Sequence, residues 1–119
     1  MRSDKEHKIQ CEFIRWVRLS EKRHKALALL YAVPNGGHRN ITTARKMKAE
    51  GVKAGVPDIC LPVPNGAYSS LYIEMKTEKG RQSKIQEEYA ALLEAFGSCY
   101  RICRNAHEAI STVKNYLKI

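Results

Sequence analysis

Apolar side chains recur at helical spacing in the N-terminal part of the chain. Ser3 and Glu6 form the Ser-x-x-Glu pattern of a capping box, which predicts a helix that begins at Ser3 and runs to about Leu19. Glu6 falls within the apolar stripe of this helix, where a charged side chain is costly unless it has a partner. It therefore either faces another polar group or only closes the capping box, and Glu12, at the flank of the stripe, is the rival acid. The stripe consists of Ile9, Phe13, Trp16 and Val17.

A strand and a short basic helix are predicted next. The apolar segment 27–33 is typical of a strand, because it is short and ends in turn residues. Segment 42–51 predicts a helix that is capped by Thr42 or Thr43 and stopped by Gly51.

Alternation of apolar and polar residues predicts a hairpin in the middle of the chain. Its strands are 58–63 and 71–76, and the turn-rich segment 64–70 joins them. Successive residues of a strand point to opposite faces of the sheet, so one face of this hairpin is predicted to be entirely apolar. That face carries Ile59, Leu61, Val63, Leu71, Ile73 and Met75.

The other face of the hairpin is predicted to gather three charged residues. A turn centred near Ala67 places Asp58 opposite Lys76 and Cys60 opposite Glu74. Directly opposed residues share a face, and so do residues two positions apart, so Asp58, Glu74 and Lys76 converge at the open end of the hairpin.

The C-terminal part adds a helix, a strand and a last helix. Ser83 opens the first of these helices and Gly97 ends it, and an apolar stripe along it predicts a buried face. The strand is predicted over 99–104 and the last helix over 106–117. The order α-β-α-β-β-α-β-α predicts an α/β fold, a small mixed sheet flanked by helices, in one domain over residues 1–119. The stripe consists of Ile85, Tyr89, Leu92, Leu93 and Phe96.

The converging residues have the chemistry of a metal-dependent hydrolytic site. Two carboxylates, Asp58 and Glu74, suit Mg²⁺, which keeps several waters and accepts substrate phosphates as further ligands. Lys76 lies beside two anions and is expected to stay protonated. It is then better placed to orient an attacking water and to stabilise charge on a phosphate than to act as a general base. The metal would lower the pKa of that water.

Charge indicates the partner. The chain of 119 residues has 21 Lys and Arg against 12 Asp and Glu, a formal net charge of +9. Such an excess favours a polyanion, most simply nucleic acid. Two basic clusters bracket the predicted site, and we expect them to contact DNA phosphates. They are Arg39, Arg45, Lys46, Lys48 and Lys53 on one side and Lys79, Arg81 and Lys84 on the other.

The sequence also bears on the compartment. The N-terminus is polar and lacks the apolar core of a signal peptide. The longest apolar run, 26–33, is too short to span a bilayer. We therefore expect a cytoplasmic protein.

Five segments resemble one family in both sequence and order: EHKIQ at 6–10, VPNGGHRN at 33–40, GVPDI at 55–59, YIEMK at 72–76 and SKIQEEY at 83–89. The chain resembles the VRR-NUC family, the virus-type replication-repair nucleases, within the restriction-endonuclease-like PD-(D/E)XK superfamily. The resemblance covers nearly the whole chain.

The resemblance implies a Mg²⁺- or Mn²⁺-dependent endonuclease acting on DNA. It makes Asp58 and Glu74 metal ligands, with Glu6 as the acid contributed by the first helix, and it makes Lys76 the catalytic lysine. Gln86 matches a glutamine that the family places near the site, although it also completes a capping box at its own helix start.

The chain is similar to the stand-alone, viral or prophage members of the family rather than to the appended domains of larger repair nucleases. Those members imply a homodimer that resolves Holliday junctions, in the cytoplasm of a bacterial host. The rival interpretations are an inactive DNA-binding protein of the same fold, a structural subunit of a phage replication or repair complex, and a nuclease directed to RNA.

Overall fold

The structure, a computed structural model, describes residues 3–34 and 40–119. Within these residues, four α-helices flank a four-stranded mixed sheet, so the predicted α/β fold and the predicted element order are confirmed. The elements are α1 (Asp4–Ser20), β1 (Tyr31–Ala32), α2 (Ile41–Ala49), β2 (Ile59–Leu61), β3 (Leu71–Met75), α3 (Lys84–Ala95), β4 (Cys99–Cys103) and α4 (Ala106–Leu117).

The sheet has the strand order β1-β2-β3-β4. Strand β2 is antiparallel to both β1 and β3, while β3 and β4 are parallel and α3 forms the crossover between them. Helices α1 and α4 pack on each other and against the apolar face of the sheet. The core between them includes Phe13, Val17, Ile59, Leu61, Leu71, Ile73, Met75, Ala109 and Val113.

Side-chain caps begin the helices. Ser3 Oγ accepts a hydrogen bond from the backbone N–H of Glu6 at 3.1 Å, and α1 starts at the next residue, as predicted. Ser83 caps α3 in the same way, also as predicted. The cap of α2 is Asn40 rather than Thr42 or Thr43, because asparagine satisfies an orphan N–H at a helix start better than threonine does.

The first strand is much shorter than the predicted 27–33. A 3₁₀ helix, Lys25–Leu29, precedes β1, and only Tyr31–Ala32 pairs with β2. Leu27 is fully buried whereas Leu29 is 57% exposed. An extended chain would have pointed both leucines to one face, but a single tight turn after α1 lets Leu27 alone reach the core.

The register of the β2–β3 hairpin differs by two residues from the prediction. Cys60 pairs with Tyr72, not with Glu74, and the same shift places Asp58 across from Glu74 rather than from Lys76. Because side chains alternate with a period of two residues, a shift of two leaves each of them on its predicted face.

The segment that joins the two strands explains the shift. Asn65 Oδ1 accepts from the backbone N–H of Tyr68 at 2.7 Å, and the N–H of Asn65 bonds to the carbonyl of Tyr68. On the β2 side, Val63 N donates to the carbonyl of Leu61 at 2.9 Å, a bond across three residues that is typical of a γ-turn. This turn takes up one more residue directly after β2 than a symmetric hairpin would.

The apolar stripe of α3 is not buried as predicted. Ile85, Leu92 and Phe96 are 53%, 61% and 83% exposed, whereas Ala90 is buried. Gln86 bonds to a group on the polar face of the sheet, and this bond sets the rotation of α3 about its own axis. The apolar stripe is consequently directed away from the sheet.

Candidate active site

Two carboxylates form the centre of the polar face of the sheet. Asp58 is 5% exposed and Glu74 is 3% exposed. Asp58 directly precedes β2, and its Oδ2 accepts from the backbone N–H of Met75 at 2.7 Å. Its own carbonyl accepts from Val33 N at 2.8 Å, and the preceding Pro57 is fully buried. The start of β2 is thus fixed on both sides, and Asp58 is held beside β3.

The surroundings of Glu74 at this centre disfavour its charged form. Burial, followed by the charge and hydrogen bond of Asp58, raises the pKa of Glu74 to about 8. Lys76 opposes this rise, and the charge of Glu6 adds to it. Within the described part of the chain, Glu74 Oε1 is buried and makes no hydrogen bond. A buried carboxylate oxygen of this kind requires a proton or a cation.

Lys76 and Gln86 complete the polar centre. Lys76 Nζ lies 3.7 Å from Glu74 Oε2 and donates a hydrogen bond to Gln86 Oε1 at 3.0 Å. Gln86 Nε2 in turn donates to Glu74 Oε2 at 3.3 Å. The amide of Gln86 therefore bridges the lysine and the carboxylate, and it restricts where the amino group of Lys76 points.

Gln86 also completes the capping box of α3. Its Oε1 accepts from Ser83 N at 2.9 Å, and its own N–H donates to Ser83 Oγ at 3.2 Å. The two interpretations of this glutamine were alternatives at the level of sequence, but the structure contains both sets of contacts. The start of α3 and the orientation of Lys76 consequently depend on one side chain.

The two acids of α1 differ in their surroundings. Glu6 is half-buried and its charge acts on Glu74, whereas Glu12 is exposed. Ser3 bonds to the backbone of Glu6, and the return bond from the Glu6 side chain to Ser3 is not formed between these two described residues. Glu6 thus lies close enough to the polar centre for its charge to act on Glu74, and its side chain does not close the start of its own helix.

The donor set at the centre fits a hard divalent cation. No group of three or more His, Cys, Asp or Glu residues is arranged as a metal site anywhere in 3–34 or 40–119, so Glu6 does not complete a three-carboxylate cluster. Mg²⁺ and ions like it need only one or two protein carboxylates when waters and substrate phosphates supply the remaining ligands. Asp58 and Glu74, with the unpaired Oε1 of Glu74, meet that requirement.

The predicted phosphate-binding residues lie at the surface. Arg39 and the neighbouring residues 35–38 are outside the described residues. The remaining members lie on α2, in the segment after it, in the segment after Lys76 and at the start of α3. All of them have exposed side chains: Arg45, Lys46, Lys48, Lys53, Lys79, Arg81 and Lys84.

Sequence reasoning missed Arg104. Its Nη1 donates to the carbonyls of Thr77 at 2.8 Å, Gly80 at 2.7 Å and Glu78 at 3.3 Å. The guanidinium thereby holds the segment that directly follows Lys76. No local pattern could have revealed this, because the contact joins residues far apart in the chain.

Gly55 is a second residue whose importance only the structure shows. Its φ is +85°, and a Cβ at this position would lie 2.5 Å from Ile85 Cγ2 and 2.9 Å from the Ile85 carbonyl oxygen. The segment before Asp58 therefore packs tightly against the first turn of α3. A glycine shortly before an acid at a strand start was the one available signal.

The fold and the polar centre define an α/β protein that gathers two buried carboxylates and a lysine on one face of a mixed sheet. The family model of the VRR-NUC domain matches residues 1–107, so this chain belongs to the VRR-NUC family, and membership implies nuclease activity. A solved structure described as a VRR_NUC domain protein is 27% identical, with a TM-score of 0.80 over 99% of this chain and 92% of that one. Among curated proteins there is no match. None of the described helices has the length and apolar character needed to cross a bilayer.

Proposed function

We propose that this chain is a metal-dependent endonuclease that hydrolyses phosphodiester bonds in DNA. The observation that supports the proposal is the convergence of Asp58, Glu74 and Lys76, two buried acids and a cation, beside an exposed basic surface. A protein that only binds DNA gains nothing from placing two carboxylates next to phosphates, because like charges repel.

Each residue of the centre has a distinct role in this proposal. Asp58 and Glu74 would hold Mg²⁺ or Mn²⁺, and Glu6 adds negative charge from α1. The bound ion would supply a water of lowered pKa and draw charge from the phosphate. Lys76 stabilises negative charge as it develops on the phosphate oxygens and orients the attacking water. Gln86 is a positioning residue, since it restrains the amino group of Lys76.

The exposed cations that flank the centre bind the DNA backbone. Phosphate contacts of this kind fix the position of the duplex without reading its sequence. Branched DNA, such as a four-way junction, is the proposed substrate, and a homodimer would suit its two symmetric cleavages. Two exposed apolar side chains of α3, Ile85 and Phe96, support self-association.

The test is cleavage of an end-labelled four-way junction with Mg²⁺ or Mn²⁺. Wild type is expected to cut, whereas Asp58→Ala and Lys76→Ala lose at least about 100-fold in rate, since each removes one element of the charge stabilisation. Lys114→Ala, a change of an exposed lysine on α4, is the matched control and keeps the wild-type rate. If the site variants cut as fast as wild type, the assigned centre is wrong. If wild type cuts no branched or linear DNA, the protein is an inactive binder or a structural subunit.

A further inference from the structure

A wide cleft opens between α2 and α3, directly beside the polar centre. Its volume is about 960 Å³, near the upper end of the range of about 300–1,000 Å³ that holds small organic molecules. Most of its lining is apolar or backbone, and Gln86 forms part of the wall. Because Gln86 also contacts Lys76 and Glu74, a strand whose phosphate lies at the centre would place an adjoining nucleotide at the mouth of this cleft.

The charge of the cleft favours an anion. Lys48 and Lys53 line it, and no Asp or Glu is found among its described lining residues. The two lysines lie on and just beyond α2, opposite the α3 wall. A ligand in the cleft would thus meet apolar surface and two cations together, a combination that matches a base attached to a phosphate.

The aromatic wall of the cleft is Tyr89. It is half-buried, with Leu92 beside it at 61% exposure. Tyr89 also lies near a row of side chains on the polar face of the sheet, where Tyr31 pairs with Cys60 and Cys60 with Tyr72. Burial, then Cys60, raises the pKa of Tyr72 to about 12, and the charges of Tyr31 and Tyr89 add to the rise. Tyr89 thus offers a half-buried aromatic side chain at the wall of the cleft.

We infer that this cleft binds one unpaired nucleotide of the DNA substrate, next to the phosphate that is cleaved, with the base stacked on Tyr89 and the backbone held by Lys48 and Lys53. The inference rests on the proposed function, because it assumes DNA at the polar centre. A paired base hides both its faces in the stack of the duplex, so only an unpaired or flipped base can enter. The cleft would then favour branched DNA over continuous duplex, because a base at a branch is either unpaired, as in a flap, or stacked on one side only, as at a four-way junction, and so flips out at lower cost.

The test is binding without cleavage, measured by fluorescence anisotropy in EDTA. One probe is a blunt duplex, and the other is the same duplex with a short unpaired flap. Tyr89→Ala is expected to weaken flap binding by about 5-fold or more and to leave blunt-duplex binding unchanged, because stacking on one aromatic ring is lost. Tyr89→Phe keeps the ring and should bind both probes like wild type. Tyr68→Ala, in the turn between β2 and β3, is the matched tyrosine control and should change neither affinity, with the fold of each variant verified by circular dichroism.

The outcomes separate this inference from the proposed function. If wild type cleaves DNA but Tyr89→Ala binds the flap as tightly as wild type does, the cleft has no such role, whereas the proposed function stands. If wild type cleaves nothing but Tyr89→Ala loses its preference for the flap, the nucleotide site stands without the activity. Equal losses on both probes would overturn the inference. So would conversion of a dimer to a monomer by Tyr89→Ala in analytical ultracentrifugation, because a second copy of the chain would then occupy the cleft.

Discussion

Replacing Glu74 by glutamine should remove most of the pH dependence that the polar centre gives to folding. Glu74 is 3% exposed, and its Oε1 is among the buried polar atoms that make no hydrogen bond to a described residue. Ionisation of this carboxyl in the folded protein must therefore overcome burial and the neighbouring charge of Asp58. Glutamine has nearly the same shape and does not ionise, so Glu74→Gln isolates that cost.

The size of this pH-dependent loss of stability follows from the pKa of Glu74. The folded-state pKa of Glu74 is about 8, against an ordinary value of 4.5. A group whose pKa is raised on folding contributes stability that is complete below its unfolded pKa and is lost as the pH rises through its folded pKa. At about 1.36 kcal/mol per pH unit, the wild-type protein loses up to about 5 kcal/mol from this group between pH 4.5 and pH 8. Relaxation of the site and entry of water would reduce the figure, but a loss of several kcal/mol is large beside a total of about 5–15 kcal/mol.

The assay is urea denaturation in EDTA at steps from pH 5 to pH 9, for wild type and for Glu74→Gln. Subtraction of the two free energies of unfolding cancels every group that the proteins share. The free energy of unfolding of Glu74→Gln is expected to rise relative to that of wild type by about 1 kcal/mol per pH unit up to pH 8. The matched control is Glu94→Gln, the same chemical change at an exposed acid of α3. A saturating concentration of Mn²⁺, about 100 times its dissociation constant, should stabilise wild type at pH 8 by about 2.7 kcal/mol and Glu74→Gln much less.

Parallel pH profiles for wild type and Glu74→Gln would refute the reasoning. They would mean that water reaches the carboxyl in the folded protein, so that neither burial nor Asp58 disfavours its charge. The opposite slope, with wild type gaining on the variant as the pH rises, would show that Lys76 outweighs both effects.

Three further substitutions probe how the centre is positioned. Gln86→Ala should lower the free energy of unfolding in urea by about 1–2 kcal/mol, since a helix cap and a bond to Lys76 are lost together. It should also slow DNA cleavage more than 10-fold, and unchanged cleavage would contradict its positioning role. Gly55→Ala should lower the free energy of unfolding by at least about 1–2 kcal/mol because of its positive φ and the overlap with α3, and a thermal melt equal to wild type would contradict that packing. Arg104→Ala should speed amide exchange at Gly80 and weaken DNA binding, and Arg104→Lys should restore part of both. Exchange at the wild-type rate in Arg104→Ala would show that the segment after Lys76 keeps its structure without the arginine.

Local chemistry made several features of this protein predictable. Helix starts at Ser3 and Ser83 follow from side-chain oxygens that satisfy free backbone N–H groups, a contact that spans only a few residues. The grouping of Asp58 with Glu74 was predictable for a different reason. The period of a strand is two residues, so an error of two in the register does not move a side chain to the other face.

Other features depended on contacts that no local pattern contains. The rotation of α3 is one case, since its apolar stripe predicted a buried face but the bonds of Gln86 turned Ile85 and Phe96 outward. The length of β1 is another, because a single turn sufficed to bury Leu27.

The sequence by itself therefore determined which residues could form a polar centre: the charges of Asp58, Glu74 and Lys76 lie on one face of a hairpin because strand geometry requires it. The tertiary structure decided what that centre is like. It buried Glu74 beside Asp58, which raises its pKa, and it gave Gln86 a second partner in Lys76. The physical reason is the distance along the chain between the interacting residues. Helix caps and strand faces depend on residues a few positions apart. The burial and the pKa of a carboxyl depend on residues that only the folded chain brings beside it.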